Sequence, residues 1–213
     1  MKLILAGLFA AASLFAASPR MVYSRSFPGS TPDYFAVTID RTGALQYTES
    51  TKDDQPLKAQ LPDADTAALF GLAEKLNYFK TPLESGLKVA NTGKKIFRYE
   101  PENGPPTQAV FNYSTDVTAQ QLLERFEDIA SSERAYIDLD TTVHYEKLGV
   151  NDALATIESL WLNKRLAAPQ QFIPLLTRVA THESFMHLAR DRAARLKDEF
   201  QASPGPVAVS NQK

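Results

Sequence analysis

From Tyr34 the chain alternates with a period of two, Phe35, Val37 and Ile39 on one side and Ala36, Thr38 and Asp40 on the other, as a half-buried strand requires. Residues 40–43 then read as a tight turn, with Gly43 at the position suited to positive φ, and Leu45 and Tyr47 continue the alternation on a return strand. Leu57, Ala59 and Leu61 alternate with Lys58 and Gln60 as a third strand that Pro62 ends. The period then becomes helical: Leu69, Leu72, Ala73, Leu76 and Phe79 line one face, Asp63 and Asp65 sit at the positive end, and Pro82 stops the run. A second hairpin follows, with Phe97 and Tyr99 on one arm, the breaker run 102–106, and Ala109, Phe111 and Tyr113 on the other. Ahead of all this, residues 19–33 read as a lead-in with one edge strand around Val22 and Tyr23.

Beyond residue 116 the pattern is almost wholly helical. Thr118 with Gln121 has the form of a capping box before the stripe Leu122, Phe126, Ile129 and Ala130. Residues 136–148 carry Leu139, Val143 and Leu148 at inward spacings, but Asp138, Asp140 and two threonines leave their structure open, and Gly149 closes the stretch. Asn151 reads as the cap of a helix bearing Leu154, Ile157, Leu160 and Trp161; Pro169 opens another with Phe172, Leu175, Leu176 and Val179; Thr181 caps the last, with Met186, Ala189, Ala193 and Leu196 inside. The expected fold class is α+β: an antiparallel sheet packed on one helix, followed by a small C-terminal helical bundle. The expected division is a lead-in at 19–33, a sheet domain at 34–115, a helical domain at 116–200 and a disordered tail at 201–213.

The N-terminus changes the picture. Lys2, the apolar run 3–15 and the small residues Ala16, Ala17 and Ser18 have the form of a cleavable signal peptide, so residues 1–18 predict an exported protein, periplasmic or secreted and soluble. The run is shorter than the roughly 20 residues a membrane span needs. There is no cysteine, which excludes a lipid-modified thiol and a disulfide framework, so stability rests on core packing. Without Lys2 the chain has 22 basic and 25 acidic residues, a net charge of −3 at neutral pH. That balance disfavours nucleic acid as a partner, and the arginines at 190, 192 and 195 alternate with acids as on a wet helix face.

Local catalytic motifs do not emerge. His182, Glu183 and His187 suggest a zinc helix, but a spacing of five places the imidazoles about 140° apart around the helix. Asp138, Asp140 and His144 are the nearest set for acid/base work, in the segment whose structure is open. No serine lies in a Gly-x-Ser-x-Gly turn and no glycine cluster could cradle phosphate. No metal, cofactor or catalytic residue is assigned. The stretch 86–95, with Leu87, Lys88, Asn91 and Lys94, reads either as a rim loop touching a partner or as a further hairpin with Leu87 and Val89 turned inward.

Three resemblances complete the reading. The order of Asp40, Gly43, Leu76 and Phe79 resembles uncharacterised domains of exported bacterial proteins, a hairpin with an Asp-x-x-Gly turn followed by a helix ending in Leu-x-x-Phe. The same strand-then-helix order, ending at Phe79 and Pro82, is similar to small proteinaceous inhibitors of bacterial metallopeptidases, without a matching inhibitory motif. Residues 174–196 resemble one unit of a HEAT-type helical repeat. The expected role is a non-enzymatic exported accessory or protein-binding module whose partner is another envelope or extracellular protein. The alternatives are a peptidase inhibitor, or a hydrolase with a dispersed site at 138–144.

Overall fold

The computed structural model describes residues 18–53 and 55–202, so all but the last residue of the expected signal peptide at 1–18 and most of the expected tail lie outside the described residues. Six strands, β1 (Arg20–Ser26), β2 (Tyr34–Asp40), β3 (Ala44–Thr48), β4 (Leu57–Gln60), β5 (Lys94–Glu100) and β6 (Thr107–Phe111), form one antiparallel sheet in the order β4-β3-β2-β1-β5-β6. Helix α1 (Asp63–Lys75) and the long α2 (Val117–Tyr145) cover one face, and α3 (Val150–Leu162), α4 (Ile173–Thr181) and α5 (His187–Ala202) gather round the far end of α2. The α+β class with a C-terminal helical part is therefore present.

The lead-in strand is corrected from edge to centre. β1 pairs with β2 along one side, Tyr23 opposite Val37, and with β5 along the other, Tyr23 opposite Phe97. Its polar residues disguise it, because Arg20 and Arg25 flank an apolar pair, Met21 and Tyr23, that is fully buried. Arg20 pairs with Glu100, and Arg25 reaches Glu127 on α2 at 3.1 Å. Charged neighbours so satisfied let a central strand read as a connector.

The apolar faces of β1, β2, β3, β5 and β6 meet α1 and the first half of α2 in one core, with Tyr23, Phe35, Phe79, Phe97 and Phe126 in mutual ring contact. The α1 stripe ends in a left-handed turn, Asn77–Phe79, where three non-glycine residues have φ near +50° to +64°. Such backbone is costly for L-residues. It is held here by the stack of Tyr78 on Tyr99 at 4.4 Å, by the burial of Phe79, and by the Thr107 hydroxyl, which donates to the Tyr78 carbonyl.

Helix α2 runs unbroken through 136–145, the stretch left open by its sequence; Leu139 and Val143 are buried and the acids face outward. Twenty-nine residues span about 43 Å, enough to serve two cores. The second core joins Ala135, Leu139 and Val143 of α2 to Leu154, Ile157, Phe172, Leu176, Val179, Leu196 and Phe200.

Several expected caps move. Asp116, not Thr118, caps α2, its carboxylate accepting from the Ala119 N–H at 3.0 Å. Asn151 lies within α3, where its side-chain oxygen accepts from Arg192 at 2.6 Å. Pro169 opens a 3-10 turn, Pro169–Phe172, before α4, while Thr181 ends α4 and α5 starts six residues later. Met186 is exposed rather than inside, and β6 stops at Phe111, leaving Tyr113 half in solvent.

Gly43 shows how tightly the first hairpin closes. It has φ +82°, and a Cβ there would stand 2.7 Å from the Leu61 carbonyl oxygen. Asp40 accepts from the N–H groups of Thr42 and Ala44, completing the turn. Gly43→Ala is expected to cost at least about 1 kcal/mol, lowering Tm by roughly 2–4 °C or more. A thermal melt of the variant that overlays the parent would contradict this account of the turn.

Candidate functional sites

Residues 84–93 form neither strand nor helix; Leu87 and Val89 are 57% and 44% exposed, which decides against the inward-facing hairpin. The loop is nevertheless pinned. The Ser85 N–H donates to the Tyr113 carbonyl, and the Asn112 N–H donates to the Glu84 carboxylate at 2.6 Å, holding that carboxyl below its ordinary range. The Asn112 side chain donates to the Ala90 carbonyl at 3.0 Å and accepts from the Thr92 N–H at 2.8 Å. Beneath it Lys95 is buried, its ammonium donating to the Thr92 hydroxyl and the Asn112 carbonyl, and burial lowers its pKa. Backbone held in this way keeps apolar side chains in water without letting the loop collapse.

Of the sequence candidates, Leu87, Lys88 and Asn91 stand on this loop, and Lys94 begins β5 beside its end. Asn91 and Lys94 line a shallow groove with Glu84, Asn112 and the exposed Val110 of β6. The structure thus brings two of the polar candidates and an apolar edge-strand residue to one groove, on a loop that also exposes Leu87 and Val89.

The segment containing Asp138 and His144 does not converge. Asp138 is exposed, and Asp140 and His144 form a surface i, i+4 pair at 3.3 Å, with the other imidazole nitrogen 3.3 Å from Arg178. Two positions apart on a helix, Asp138 and Asp140 point about 160° away from each other. His182 is the C-terminal cap of α4 and His187 the first residue of α5, so they belong to different elements. Among the described residues no group of three or more histidines, aspartates or glutamates could hold a metal ion. Two arginines of α5, Arg192 and Arg195, both pair with Glu158 of α3.

Sequence reading missed a polar seam at the middle of α2. The apolar run of the first core ends at Ala130 and that of the second begins at Ala135. Around that interval wraps the segment 163–172, shaped by left-handed backbone at Lys164 and Ala168. Asp128, 10% exposed, accepts from Arg165 at 2.6 Å. The fully buried Ser132 donates to the Asp128 carbonyl and accepts from the Ala167 N–H at 2.8 Å. Glu133, also fully buried, accepts from the Gln171 amide at 2.8 Å through one carboxylate oxygen, while its other oxygen and the Gln171 carbonyl oxygen are buried without a partner. Burial pushes the Glu133 carboxyl up to about 7, the Gln171 bond opposing it in part. A cleft of about 130 Å³ opens beside the seam, between α1, α2 and residues 164–167. No periodic signal marks such a site; polar residues interrupting the α2 stripe were its only trace in the sequence.

No protein-family model, curated protein or solved structure matches this chain.

Ser132 tests whether the seam stabilises the fold. Ser132→Ala leaves the Ala167 N–H without its acceptor, so unfolding in urea should show a loss of about 1–3 kcal/mol with an unchanged m-value. A loss within a few tenths would mean that the segment is held by its apolar contacts alone.

Proposed function

We propose that the chain is a non-enzymatic exported accessory module that binds another protein through the 84–94 loop and the groove beside it. One observation carries this reading: Leu87 and Val89 are held in solvent by a loop whose backbone is pinned to β6 through Asn112. Exposed apolar side chains on mobile loops are common. Here ordering precedes binding, so a partner meets a surface whose conformational entropy is already lost. Lys88 follows Leu87 on the loop and Lys94 lines the groove with the exposed Val110, so basic side chains stand beside apolar ones, as at the edge of a protein interface.

The export half of the reading rests on the leader pattern at 1–18 and on the resemblance of Asp40, Gly43, Leu76 and Phe79 to exported bacterial domains. Among the described residues no helix is long and apolar enough to cross a membrane. A peptidase inhibitor is the narrower form of the same idea, since a pre-ordered exposed loop is what an inhibitor offers to a cleft. A panel of extracellular metallopeptidases assayed with the purified protein separates it from a general binding role.

The decisive experiment places a photo-crosslinking residue at position 87 and, as a control, at the exposed Leu162 on α3. In the envelope fraction of the source cells, position 87 should yield discrete adducts that position 162 does not. In the recovered complex, Leu87→Asp with Val89→Asp should weaken affinity at least about tenfold, with stability changed by no more than about 0.5 kcal/mol. Equal labelling at both positions, or affinity indifferent to the double substitution, would sink the proposal.

A further inference from the structure

We infer that Glu133 is a neutral carboxylic acid in the closed fold, paired head-to-head with the Gln171 amide, and that this pair is a proton-held latch docking the segment 163–172 onto α2. The inference stands on the geometry of the seam and is independent of the binding proposal. Gln171 donates one hydrogen bond to Glu133 at 2.8 Å, which leaves two buried oxygens, one on each side chain, with nothing to donate to them. Two acceptors cannot satisfy each other. A single proton on the free Glu133 oxygen turns it into a donor whose available acceptor is the free Gln171 oxygen. The acid and the amide then form a ring of two hydrogen bonds with no unsatisfied atom.

The surroundings favour the neutral form. Tyr47 of β3 faces Glu133 from the sheet, but its hydroxyl is engaged by Glu49 at 2.8 Å. Tyr136 faces it from α2, with Asp140 beyond. The nearest cations are otherwise occupied: Arg134 turns to Glu49 and the Thr31 carbonyl, and Arg165 to Asp128. Among the described residues Glu133 has no ion pair, and its elevated pKa, set first by burial, agrees with that isolation.

The position gives the proton a structural consequence. Glu133 lies in the gap on α2 between the two apolar cores, and Gln171 sits in the 3-10 turn that leads into α4. Ionising Glu133 puts an unpaired charge where the segment 163–172 docks, so closure weakens as the pH rises toward neutrality. The sign is explicit. Unfolded, the carboxyl ionises near 4.5; folded, near 7. Between these values the folded state holds one more proton, so raising the pH favours opening, by about tenfold in the equilibrium constant per pH unit. The effect levels off above pH 7, at about 300-fold overall. Below 4.5 the contribution is fully present.

Glu133→Gln replaces the acid by an amide that makes both hydrogen bonds without a titrating proton. Comparing the full-length parent and this variant by denaturant unfolding from pH 4 to 9, followed by the fluorescence of Trp161, isolates the Glu133 term from every other carboxylate. The variant's stability relative to the parent should rise by about tenfold in equilibrium constant per pH unit from pH 5 to 7 and then stay level. Parallel profiles would overturn the latch. Should the variant fail to fold, carbon NMR of the glutamate-labelled parent decides: one carboxyl that stays protonated to near pH 7 supports it, and a set that has all ionised by pH 5.5 overturns it. Hydrogen exchange at pH 8 adds the conformational reading, with residues 163–172 exchanging faster in the parent than in Glu133→Gln. Equal rates would mean that the proton does not govern docking.

Discussion

The arrangement depends on the continuity of α2. One helix supplies Leu122, Phe126 and Ile129 to the sheet core and Leu139 and Val143 to the bundle core, so neither core is complete without it. A solvent-exposed helix of this composition has modest stability of its own, and most of its persistence comes from burying a face. Here two faces are buried at opposite ends. The middle of α2, where neither core reaches, is closed by hydrogen bonds from the segment 163–172, whose Ala168 and Phe172 belong to the two cores on either side.

That division of labour explains why the surfaces differ. On the sheet side, strand pairing and a ring cluster give a rigid platform from which the 84–93 loop projects, its backbone tied through Asn112 to the edge strand β6. An edge strand left bare invites pairing with other chains. The loop is tied just past the end of this strand, at Asn112 and Tyr113, and offers Leu87 and Val89 there as a side-chain surface that can be selective. On the bundle side the ion pairs of Glu158 with Arg192 and Arg195 join α3 to α5, leaving Asp138 of α2 to solvent.

Much of the fold was legible because periodicity reports burial directly. Phe35, Val37 and Ile39 are all buried on one strand face, and Gly43 has the positive φ its turn requires. Where partners are distant in sequence the pattern failed: β1 reads as a lead-in because Arg25 finds Glu127 more than a hundred residues later. Caps failed for a related reason, since Asn151 is recruited by Arg192 rather than by its own helix. Of the candidate sites, the loop was legible from composition between two glycines. The seam was not, because nothing local distinguishes a buried Glu133 from the exposed Asp138 five positions on.

The seam also limits how the two halves can move. Asp128 and Ser132 lie about 40° apart around α2, whereas Glu133 stands a further 100° round. Because the wrapping segment engages all three, sliding or rotating α2 to improve one contact would break another. An apolar joint of equal area would tolerate such shifts, since dispersion contacts lack direction. Polar groups at the joint therefore specify one docking geometry, at a cost in stability that a hydrophobic replacement would avoid. Glu133 carries this further than its neighbours. Asp128 has a cation and Ser132 has both a donor and an acceptor, so neither side chain leaves a buried atom unpartnered. Only Glu133 depends on a proton that solution can remove, and so only it can make the docking of the bundle conditional.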